Sequence, residues 1–189
     1  MNKIKSCKKC NLHNNQPPLL DKLARADVIW MGLSAKKTKN EQDRPLNKDT
    51  ISGNIINQIE EDLLAYKFYK TNLVKCLPLE NHKLRYPNKN ECAVCFENFI
   101  EEIRCIKPKI VFLLGKIVSD FVKKEQGLTI ENTENILNYT IYCQNGICYI
   151  PVPHPSYIYV YKRHQVNDYI KDLTQLIIQI KGHMIDEHA

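Results

Sequence analysis

The chain has 189 residues, of which 43% are hydrophobic and 25% charged, and these values predict one globular domain spanning residues 1–189. No apolar run approaches twenty residues and no signal segment is recognised, so we expect neither a membrane span nor the classical secretory route, and we expect a cytoplasmic monomer. The net charge of +6 suits a polyanionic partner such as nucleic acid, although lysine-rich proteins without such a partner often carry the same charge.

The first notable element is Cys7-Lys-Lys-Cys10, in a basic N-terminal segment. Two thiolates at this spacing bind one metal ion or one iron atom, which is why the pattern recurs in zinc and iron–sulfur sites. The chain has eight cysteines, and in a reducing compartment some of them are expected to ligate a metal or a cluster rather than form disulfides.

The first predicted strand, 28–31, leads into a polar loop over 32–46. A loop directly after a parallel strand lies at the edge where ligands bind, although a polar loop taken alone is more often solvated surface. Apolar residues then recur at helical spacing, which predicts an amphipathic helix over 52–66 with Ser52 as its N-cap. These apolar residues are Ile55, Ile56, Ile59, Leu63 and Leu64.

The second predicted strand, 71–75, ends at Cys76, and a long polar loop runs from there to Cys92 at the start of the next helix. Together with the first pair, these thiolates can form a tetrahedral zinc site or hold a four-iron cluster, and simple burial remains open. Cys95 and Cys105 lie among apolar residues of that helix, and we expect them to be small core side chains.

Residues 139–143 and 147–152 flank an Asn-Gly pair at 145–146, which is typical of a tight turn, so the sequence predicts a hairpin. Cys143 and Cys148 would then face each other across the two strands. A disulfide between them is not expected in the cytosol.

Four apolar strands thus alternate with helical segments along the chain. The parallel strands are predicted at 28–31, 71–75, 110–114 and 147–152, and the helices at 52–66, from 92 onward, at 115–124 and at 168–181. This alternation is typical of a parallel sheet with helices on both faces. We predict an α/β fold, a single three-layer α/β/α domain with a central four-stranded, mainly parallel sheet.

The last strand ends in a histidine framed by prolines, in Val152-Pro-His154-Pro-Ser156. Because the carboxyl ends of parallel strands meet at one crevice, His154 is expected close to Asn72 from the second strand and to the glycine loop at Gly32. The three elements form a candidate site.

Several elements now match a known family in order and spacing. They are Cys7-x-x-Cys10, a Gly32 loop running into Arg44-Pro45, Thr71-Asn72-Leu-Val-Lys75-Cys76, Cys92 further on, Leu114-Gly115 and His154-Pro155-Ser156. Together they resemble the family 4 uracil-DNA glycosylases, which are iron–sulfur members of the uracil-DNA glycosylase superfamily. The resemblance covers nearly the whole chain.

The resemblance implies a [4Fe–4S] cluster rather than zinc, completed by the N-terminal segment. Its ligands would be Cys7, Cys10, Cys76 and Cys92. It also implies that Asn72 reads the uracil edge, because an amide both donates and accepts, and that His154 faces uracil O2 and stabilises the departing anion. The other substrate-binding positions would be Gly32, Leu33, Ser34, Leu46 and Ser156.

Residues 157–163 match the family segment that enters the DNA groove. By this match Ile158 and Tyr159 act as a wedge while Lys162 and Arg163 contact phosphate. The predicted DNA-binding residues are Lys36, Lys37, Lys39, Tyr157, Ile158, Tyr159, Lys162 and Arg163. A purely structural alternative is an extended edge along which the tyrosines of this segment alternate.

The loop after the first strand departs from the family pattern. Leu33 stands where the family has an acid, and Leu46 stands where it has a phenylalanine that stacks on uracil. An acid in this loop would orient water or steady the sugar cation, and Glu41 and Asp43 are the nearest acids. The loop is also similar to the Gly-Leu-x-Pro loop of family 5, which works without that acid.

The sequence therefore predicts a DNA repair glycosylase that hydrolyses the N-glycosidic bond of uracil, or of another deaminated or modified base, in single- or double-stranded DNA. Its predicted catalytic residues are His154, Asn72, Glu41 and Asp43. Such enzymes flip the base out of the duplex. Two alternatives stay open: a nucleic-acid-binding protein that has lost catalysis, and a related enzyme that acts on RNA or nucleosides.

Overall fold

A computed structural model describes residues 2–22, 24–40, 42–130 and 133–186 of the chain. Its strands are β1 (Val28–Ser34), β2 (Phe68–Val74), β3 (Leu79–Glu80), β4 (Lys83–Leu84), β5 (Ile110–Leu114), β6 (Thr133–Ile136), β7 (Tyr139–Gln144) and β8 (Ile147–Val152). Its helices are α1 (Asn2–Lys5), α2 (Ile51–Glu61), α3 (Lys89–Ile106), α4 (Lys116–Gln126), α5 (Pro155–Tyr161) and α6 (Val166–Asp186).

The central sheet has the strand order β2-β1-β5-β8-β7-β6. The first four of these are the four predicted strands, and they run parallel, which confirms the predicted α/β fold. β7 and β6 extend the sheet with antiparallel pairing, so it has six strands rather than four. The predicted hairpin joins β7 to β8, with Cys143 opposite Cys148 and a turn in which Asn145 and Gly146 have φ of 52° and 73°.

Both faces of the sheet are covered. Along β1, Val28 and Trp30 belong to one core cluster and Ile29 and Met31 to another, because successive side chains of a strand point to opposite faces. The first cluster packs against α2, α5 and α6, and the second against α3 and α4. Burial on both faces explains why these strands are continuous apolar runs rather than alternating ones.

The register of the strands aligns the residues that end them. Gly32 of β1 pairs with Asn72 of β2, and Leu114 of β5 pairs with Val152 of β8. The loops that follow these positions therefore start at the same level. They enclose one space at the carboxyl edge of the sheet.

The start and end of α2 differ from the prediction. Its N-cap is Thr50, whose hydroxyl accepts a hydrogen bond from the Gly53 backbone N–H at 3.1 Å, whereas Ser52 lies buried inside the first turn. The helix ends at Glu61, and Leu64, predicted to face the core, is 90% exposed. Ser52 is thus not the cap and Leu64 is not a core residue.

The loop predicted between β2 and α3 contains structure of its own. β3 and β4 form a small antiparallel hairpin whose turn residues, Asn81 and His82, have φ of 49° and 62°. α3 then begins at Lys89, three residues before its predicted start, because Asn88 and Glu91 form a capping box. The Asn-x-x-Glu spacing was the available sequence signal for this helix start.

One alternative and one prediction do not agree with the structure. The extended alternative for residues 157–161 is excluded because they form α5, which Pro155 opens at a position where a missing N–H costs nothing. Cys105, expected in the core, is exposed on α3.

Within the described residues, none of the helices combines the length and the apolar character that crossing a bilayer requires.

Candidate active site

A crevice of about 860 Å³ opens at the carboxyl ends of the four parallel strands. The predicted substrate-binding positions all lie on its wall: Gly32, Leu33, Ser34, Leu46, Asn72, His154 and Ser156. Of the other predicted site residues, Lys36, Lys37, Lys39, Asp43 and Tyr157 line it as well. The fold thus brings residues from distant parts of the chain to one place.

Gly32 allows the Asn72 side chain to lie directly against β1. A Cβ atom added at Gly32 would lie 2.5 Å from Asn72 Oδ1, closer than real Cβ contacts come. Any other residue at this position therefore displaces the amide. The same Cβ would lie 3.5 Å from Leu46 Cδ2, which shows that the Leu46 side chain packs at this corner of the crevice.

The Asn72 side chain is buried and yet available to a ligand. It is only 4% exposed, and within the described part of the chain no group hydrogen-bonds its amide. Its amide atoms are not among the fully buried polar atoms that lack a partner, so they are open to the space of the crevice. A carboxamide on the crevice wall with its donor and acceptor unused is suited to reading a polar ligand edge.

A buried ion pair holds the backbone behind Asn72. Lys75 Nζ lies 2.8 Å from Glu102 Oε2, and both side chains are fully buried. The same ammonium donates to the Asn72 carbonyl oxygen at 2.6 Å and to Thr71 Oγ1 at 2.8 Å. Glu102 also accepts from the hydroxyls of Thr71 and Tyr69. Sequence reasoning missed this pair; the available signal was a lysine at the end of an apolar strand.

The His154 ring is neutral and has a defined tautomer. Its Nδ1 accepts a hydrogen bond from the Ser156 backbone N–H at 3.3 Å and lies 2.8 Å from Ser156 Oγ. Assigned from this network, the proton of the neutral ring is on Nε2. Burial, and secondarily the charge of Lys36, lower the pKa of His154. His154 therefore offers an N–H donor at neutral pH.

Gly115 makes room for this ring at the end of β5. Its φ is +90°, a conformation that favours glycine, and a Cβ there would lie 3.3 Å from His154 Cβ. The Gly115 N–H donates to the Val152 carbonyl oxygen at 2.8 Å, which ties the two strand ends together. The Leu-Gly element noted in the sequence thus supports the histidine sterically.

Gln16, which sequence reasoning missed, holds the loop after β1. Its Oε1 accepts from the Thr38 backbone N–H at 2.9 Å, and its Nε2 donates to the Lys36 carbonyl oxygen at 3.2 Å. Gln16 is buried and comes from the N-terminal segment. No local pattern marks a glutamine whose partners lie so far along the chain.

Asp43 lines the crevice, but its carboxylate is engaged within its own loop. It accepts from the backbone N–H groups of Lys39 and Asn40 and from Asn47 Nδ2. These contacts, led by the Lys39 N–H, lower the pKa of Asp43, so it is ionised at neutral pH. Glu41, the other predicted acid, lies outside the described residues.

The prediction that Ile158 is part of a DNA wedge is wrong, because Ile158 lies on the buried face of α5. Ile158 is 4% exposed and packs in the core, so its side chain is not available to enter a groove. The exposed residues of this helix are instead Tyr157, Val160 and Tyr161, and all three line the crevice. An α-helix presents positions three and four apart on one face, which the extended reading did not allow.

Three other predicted DNA-binding residues lie just beyond the crevice. Tyr159 packs against the core, and the Arg163 guanidinium carbon lies 4.8 Å from its ring centroid. Lys162 and Arg163 are exposed but are not part of the crevice wall. Their side chains face solvent, where phosphate contact remains a prediction.

A second, small cavity is lined by four cysteines: Cys7, Cys10, Cys76 and Cys95. Cys92, the fourth ligand expected from spacing, is not on its wall and lies buried in the core one helical turn earlier. Cys95 is buried in a core cluster, as expected, and it also lines this cavity, whereas Cys92 does not. A capping box that starts α3 earlier than expected sets this orientation of the helix. The choice of the fourth ligand stays a prediction.

The donor set of this cavity suits a soft metal centre. Thiol sulfurs are the usual ligands of zinc and of iron–sulfur clusters. The Lys75 backbone N–H points to Cys95 Sγ at 3.4 Å, and Asn98 Nδ2 lies 3.5 Å from Cys7 Sγ. Burial raises the pKa of Cys76 to about 12, so this thiol needs a metal to lose its proton. Among the described residues, no three cysteine, histidine or acidic side chains converge tightly enough to hold a single ion.

The crevice as a whole combines an unpaired buried amide, a neutral N–H donor and several lysines. The amide and the imidazole can bind a planar ring that presents both donors and acceptors. An N–H donor fixed in a buried site also stabilises negative charge that develops on such a ring. The lysines suit the phosphates of a polyanion.

Comparison with known proteins agrees with this chemistry. Residues 12–177 match the sequence profile of the Uracil DNA glycosylase superfamily. The Type-4 uracil-DNA glycosylase of Sulfurisphaera tokodaii is 24% identical over 193 aligned residues, covering 96% of this chain and 84% of that protein. The Type-4 enzymes of Saccharolobus solfataricus and Thermotoga maritima are 23% and 24% identical, covering 81% and 82% of this chain and 72% and 79% of those proteins. Since the matched segment spans most of its length, the chain belongs to the uracil DNA glycosylase superfamily.

Proposed function

We propose that this protein is a DNA repair glycosylase that hydrolyses the N-glycosidic bond of uracil, or of another deaminated or modified base, in DNA. The observation that carries the proposal is the buried Asn72 amide, unpaired within the described residues, on the same crevice wall as the neutral His154 ring. We further propose that the chain acts as one domain, as a monomer, in the cytoplasm, where thiols stay reduced.

In this proposal the damaged base leaves the stack and enters the crevice. The Asn72 amide accepts from N3–H and donates to O4 of uracil, a pattern that cytosine does not present. His154 Nε2–H donates to O2. Unstacking costs a few kcal/mol, and it costs least for a mispaired or single-stranded base.

The reaction breaks the bond between C1′ of the sugar and N1 of the base. The bonding electron pair goes to the base, whose anion is spread over N1 and O2, where the His154 N–H stabilises it. The oxygen of a water molecule bonds to C1′, and the proton that it releases passes to solvent or to the departing base anion, which then leaves as the neutral base. Leu33 provides no carboxylate for this water, so Asp43, Glu41 or backbone groups of the loop are left to orient it.

We propose that Cys7, Cys10, Cys76 and Cys95 hold a [4Fe–4S] cluster, with zinc as the alternative. Four thiols are the usual ligand set of such a cluster, and it would hold them without the tight convergence that a single zinc ion would require. When bound, the cluster supplies iron–sulfur bonds that join the N-terminal segment to the end of β2 and to α3.

The direct test is excision of uracil from single-stranded, U·G and U·A oligonucleotides by the cluster-loaded protein and by Asn72→Ala and His154→Ala. Removing the His154 donor is expected to lower the rate by about 100-fold or more, as for other donors to a developing anion. Asn72→Ala is expected to cause a comparable loss. Asn54→Ala, on the exposed face of α2, is the matched control and should excise normally.

Cleavage that survives in both site variants would move the reaction out of this crevice. If the loaded wild-type protein binds these DNAs tightly and cleaves none of them, uracil is not its substrate. The same assay with hypoxanthine- and xanthine-containing strands would then test the wider proposal of a modified base.

A further inference from the structure

The exposed apolar side chains of this protein are concentrated at the mouth of the crevice. Within the described residues, those that are both exposed and on its wall are Leu84, Tyr86, Ile117, Tyr157, Val160 and Tyr161. Exposed apolar side chains grouped in one place mark an interaction site. The tyrosines of α5 belong to the segment already expected to meet DNA, whereas Leu84 and Tyr86 have no assigned role.

Leu84–Tyr86, here called the platform segment, reaches the crevice wall from a different part of the chain than α5. It follows β2, and α5 follows β8, with β1 and β5 between these two strands. The strands β2 and β8 are three strand spacings apart, which is about 14 Å. Gly32 and Gly115, at the ends of the middle strands, lie between them. Tyrosines from two separate elements thus line the same crevice as Asn72 and His154.

The backbone of the platform segment is held rigidly. Arg85 makes a two-pronged contact with Glu91, with N–O distances of 2.8 and 2.6 Å, and donates to the Tyr86 carbonyl oxygen at 2.9 Å. Glu91 is itself part of the capping box of α3. Pro87 follows and restricts the chain further. The segment is therefore pinned to the end of a long helix.

The Tyr86 ring, by contrast, is exposed to solvent. It is 74% exposed, and no aromatic, cationic or hydrogen-bonding group of the described residues contacts it. A ring on a pinned backbone loses little further conformational entropy when a flat partner stacks on it. Such a ring is suited to a nucleobase.

The charge of the crevice wall favours a polyanion as the partner. Lys36, Lys37 and Lys39 line the same crevice, against which the described acids of the wall are Asp43 and Asp49. The charge of Arg85 is already matched by Glu91, so the lysines are the groups that meet phosphate. A basic groove with exposed aromatic rings is the usual form of a single-strand binding site.

We propose that Tyr86 is a stacking platform for an unpaired base beside the one extruded into the crevice, so that this protein selects single-stranded or locally melted DNA. The inference rests on the proposed function in that it uses the same crevice. In an intact duplex the neighbouring bases are stacked and paired, which leaves no open face for Tyr86. In a single strand every base has a free face, and stacking requires no sequence.

Binding of undamaged oligonucleotides tests the platform without requiring excision. Fluorescence anisotropy would compare wild-type protein, Tyr86→Ala, Tyr86→Phe and Leu64→Ala on a single strand and on the matched duplex. Tyr86→Ala is expected to weaken single-strand binding about tenfold, within the roughly 5- to 150-fold range that stacking on a side chain contributes, and duplex binding less than twofold. Tyr86→Phe keeps the ring and should bind normally, as should Leu64→Ala, an exposed leucine outside the crevice.

A tryptophan at the same position gives a direct readout. The native Trp30 is fully buried, so Tyr86→Trp adds the one solvent-exposed indole. Its fluorescence should be quenched on adding single-stranded DNA and change little with duplex. Leu64→Trp should respond to neither.

Single-strand binding that is unchanged in Tyr86→Ala would overturn the platform, and equal losses on both DNAs would overturn the selectivity. Because these DNAs contain no damaged base, the result is separate from catalysis. Loss of single-strand binding in Tyr86→Ala with no excision by the wild type would support the platform while rejecting the proposed reaction. Normal excision with intact Tyr86→Ala binding would do the reverse.

Discussion

At the scale of single residues, the contact between Gly32 and Asn72 gives a sharp prediction. Gly32→Ala places a methyl group within 2.5 Å of Asn72 Oδ1 and must displace the amide or the loop. We expect kcat/KM on a uracil-containing strand to fall by about 100-fold, since a misplaced group costs as much as a missing one. Steady-state excision assays and circular dichroism melting would measure activity and fold together.

The mechanism of this loss is testable with a double variant. If the methyl group acts by displacing the amide, Gly32→Ala should cost little more once Asn72→Ala has removed that side chain. Additive losses in the two single variants would instead show that the methyl group distorts the loop independently of Asn72.

Lys36 gives a second prediction at this scale, for the pH dependence of excision. Burial and the Lys36 charge hold the pKa of His154 below its usual value, so the ring stays neutral to lower pH. As the pH falls through that lowered pKa, Nδ1 takes up a proton and can no longer accept from the Ser156 N–H, so the orientation of the ring is lost. Lys36→Gln removes the second cause and should move the acid limb of kcat/KM to higher pH. Lys37→Gln is the control, because Lys37 contributes nothing to this shift.

An NMR titration of the His154 ring in the two lysine variants would report the same shift without catalysis. An acid limb that stays in place in Lys36→Gln, while the ring pKa rises, would show that a different group controls the rate.

At the scale of elements, the Lys75–Glu102 pair joins β2 to α3. Glu102→Gln leaves a fully buried ammonium without its counter-charge, which is expected to lower the free energy of unfolding by about 3–5 kcal/mol. The double variant Lys75→Met/Glu102→Leu removes both charges and should recover much of that loss. Urea denaturation would give the three values.

The exposed pair Lys116–Asp120 is the matched control. Breaking it with Lys116→Met should change stability by at most about 0.5 kcal/mol, because solvent screens surface charges. A double variant at the buried site that is stable but excises slowly would show that the pair serves to position Asn72. Recovery of both properties would make its role purely structural.

At the scale of the whole molecule, the N-terminal segment connects the cysteine cavity to the crevice. Cys7 and Cys10 line that cavity, Leu19 N–H donates to the Lys75 carbonyl oxygen at 2.8 Å, and Gln16 holds the loop after β1. The end of β2 is shared, since Lys75 precedes Cys76. A cluster in this place would therefore stabilise both the fold and the loop that lines the base site.

Cysteine variants purified without oxygen test this arrangement by their metal content. Cys95→Ala is expected to lose iron and sulfide together with the visible absorbance of the cluster. Cys92→Ala should keep both and lose only about 1 kcal/mol of core packing. Cys105→Ala, at an exposed position, is the control and should match the wild type.

The opposite pattern, with iron lost in Cys92→Ala and retained in Cys95→Ala, would restore the ligand set expected from spacing. Stoichiometric zinc without iron in all of these proteins would replace the cluster with a zinc site.

The positions of the strands, and the edge of the sheet at which the crevice lies, could be predicted from the sequence. Strands that are buried on both faces appear in the sequence as apolar runs. A parallel sheet brings the carboxyl ends of its strands together whatever the details of packing. Ile110–Leu114 and Ile147–Val152 were therefore predicted to the residue, and Asn72, Gly32 and His154 were expected at one edge.

Local signals failed where a side chain's direction depends on a cap or on a distant partner. The choice between Cys92 and Cys95 depends on the phase of α3, which the capping box at Asn88 sets, and the burial of Ile158 depends on α5 being a helix. β6 was missed because its pairing with β7 gives no local apolar pattern.

The sequence by itself determined the α/β fold, its parallel core and the chemical groups available at one edge of the sheet, because these follow from local patterns along the chain. Tertiary structure alone decided which groups meet. It brought Gln16 to the loop after β1, set Lys75 against Glu102, and left Tyr86 exposed on a pinned segment. Such contacts join residues far apart in the chain, and their energy depends on packing geometry that no short segment encodes.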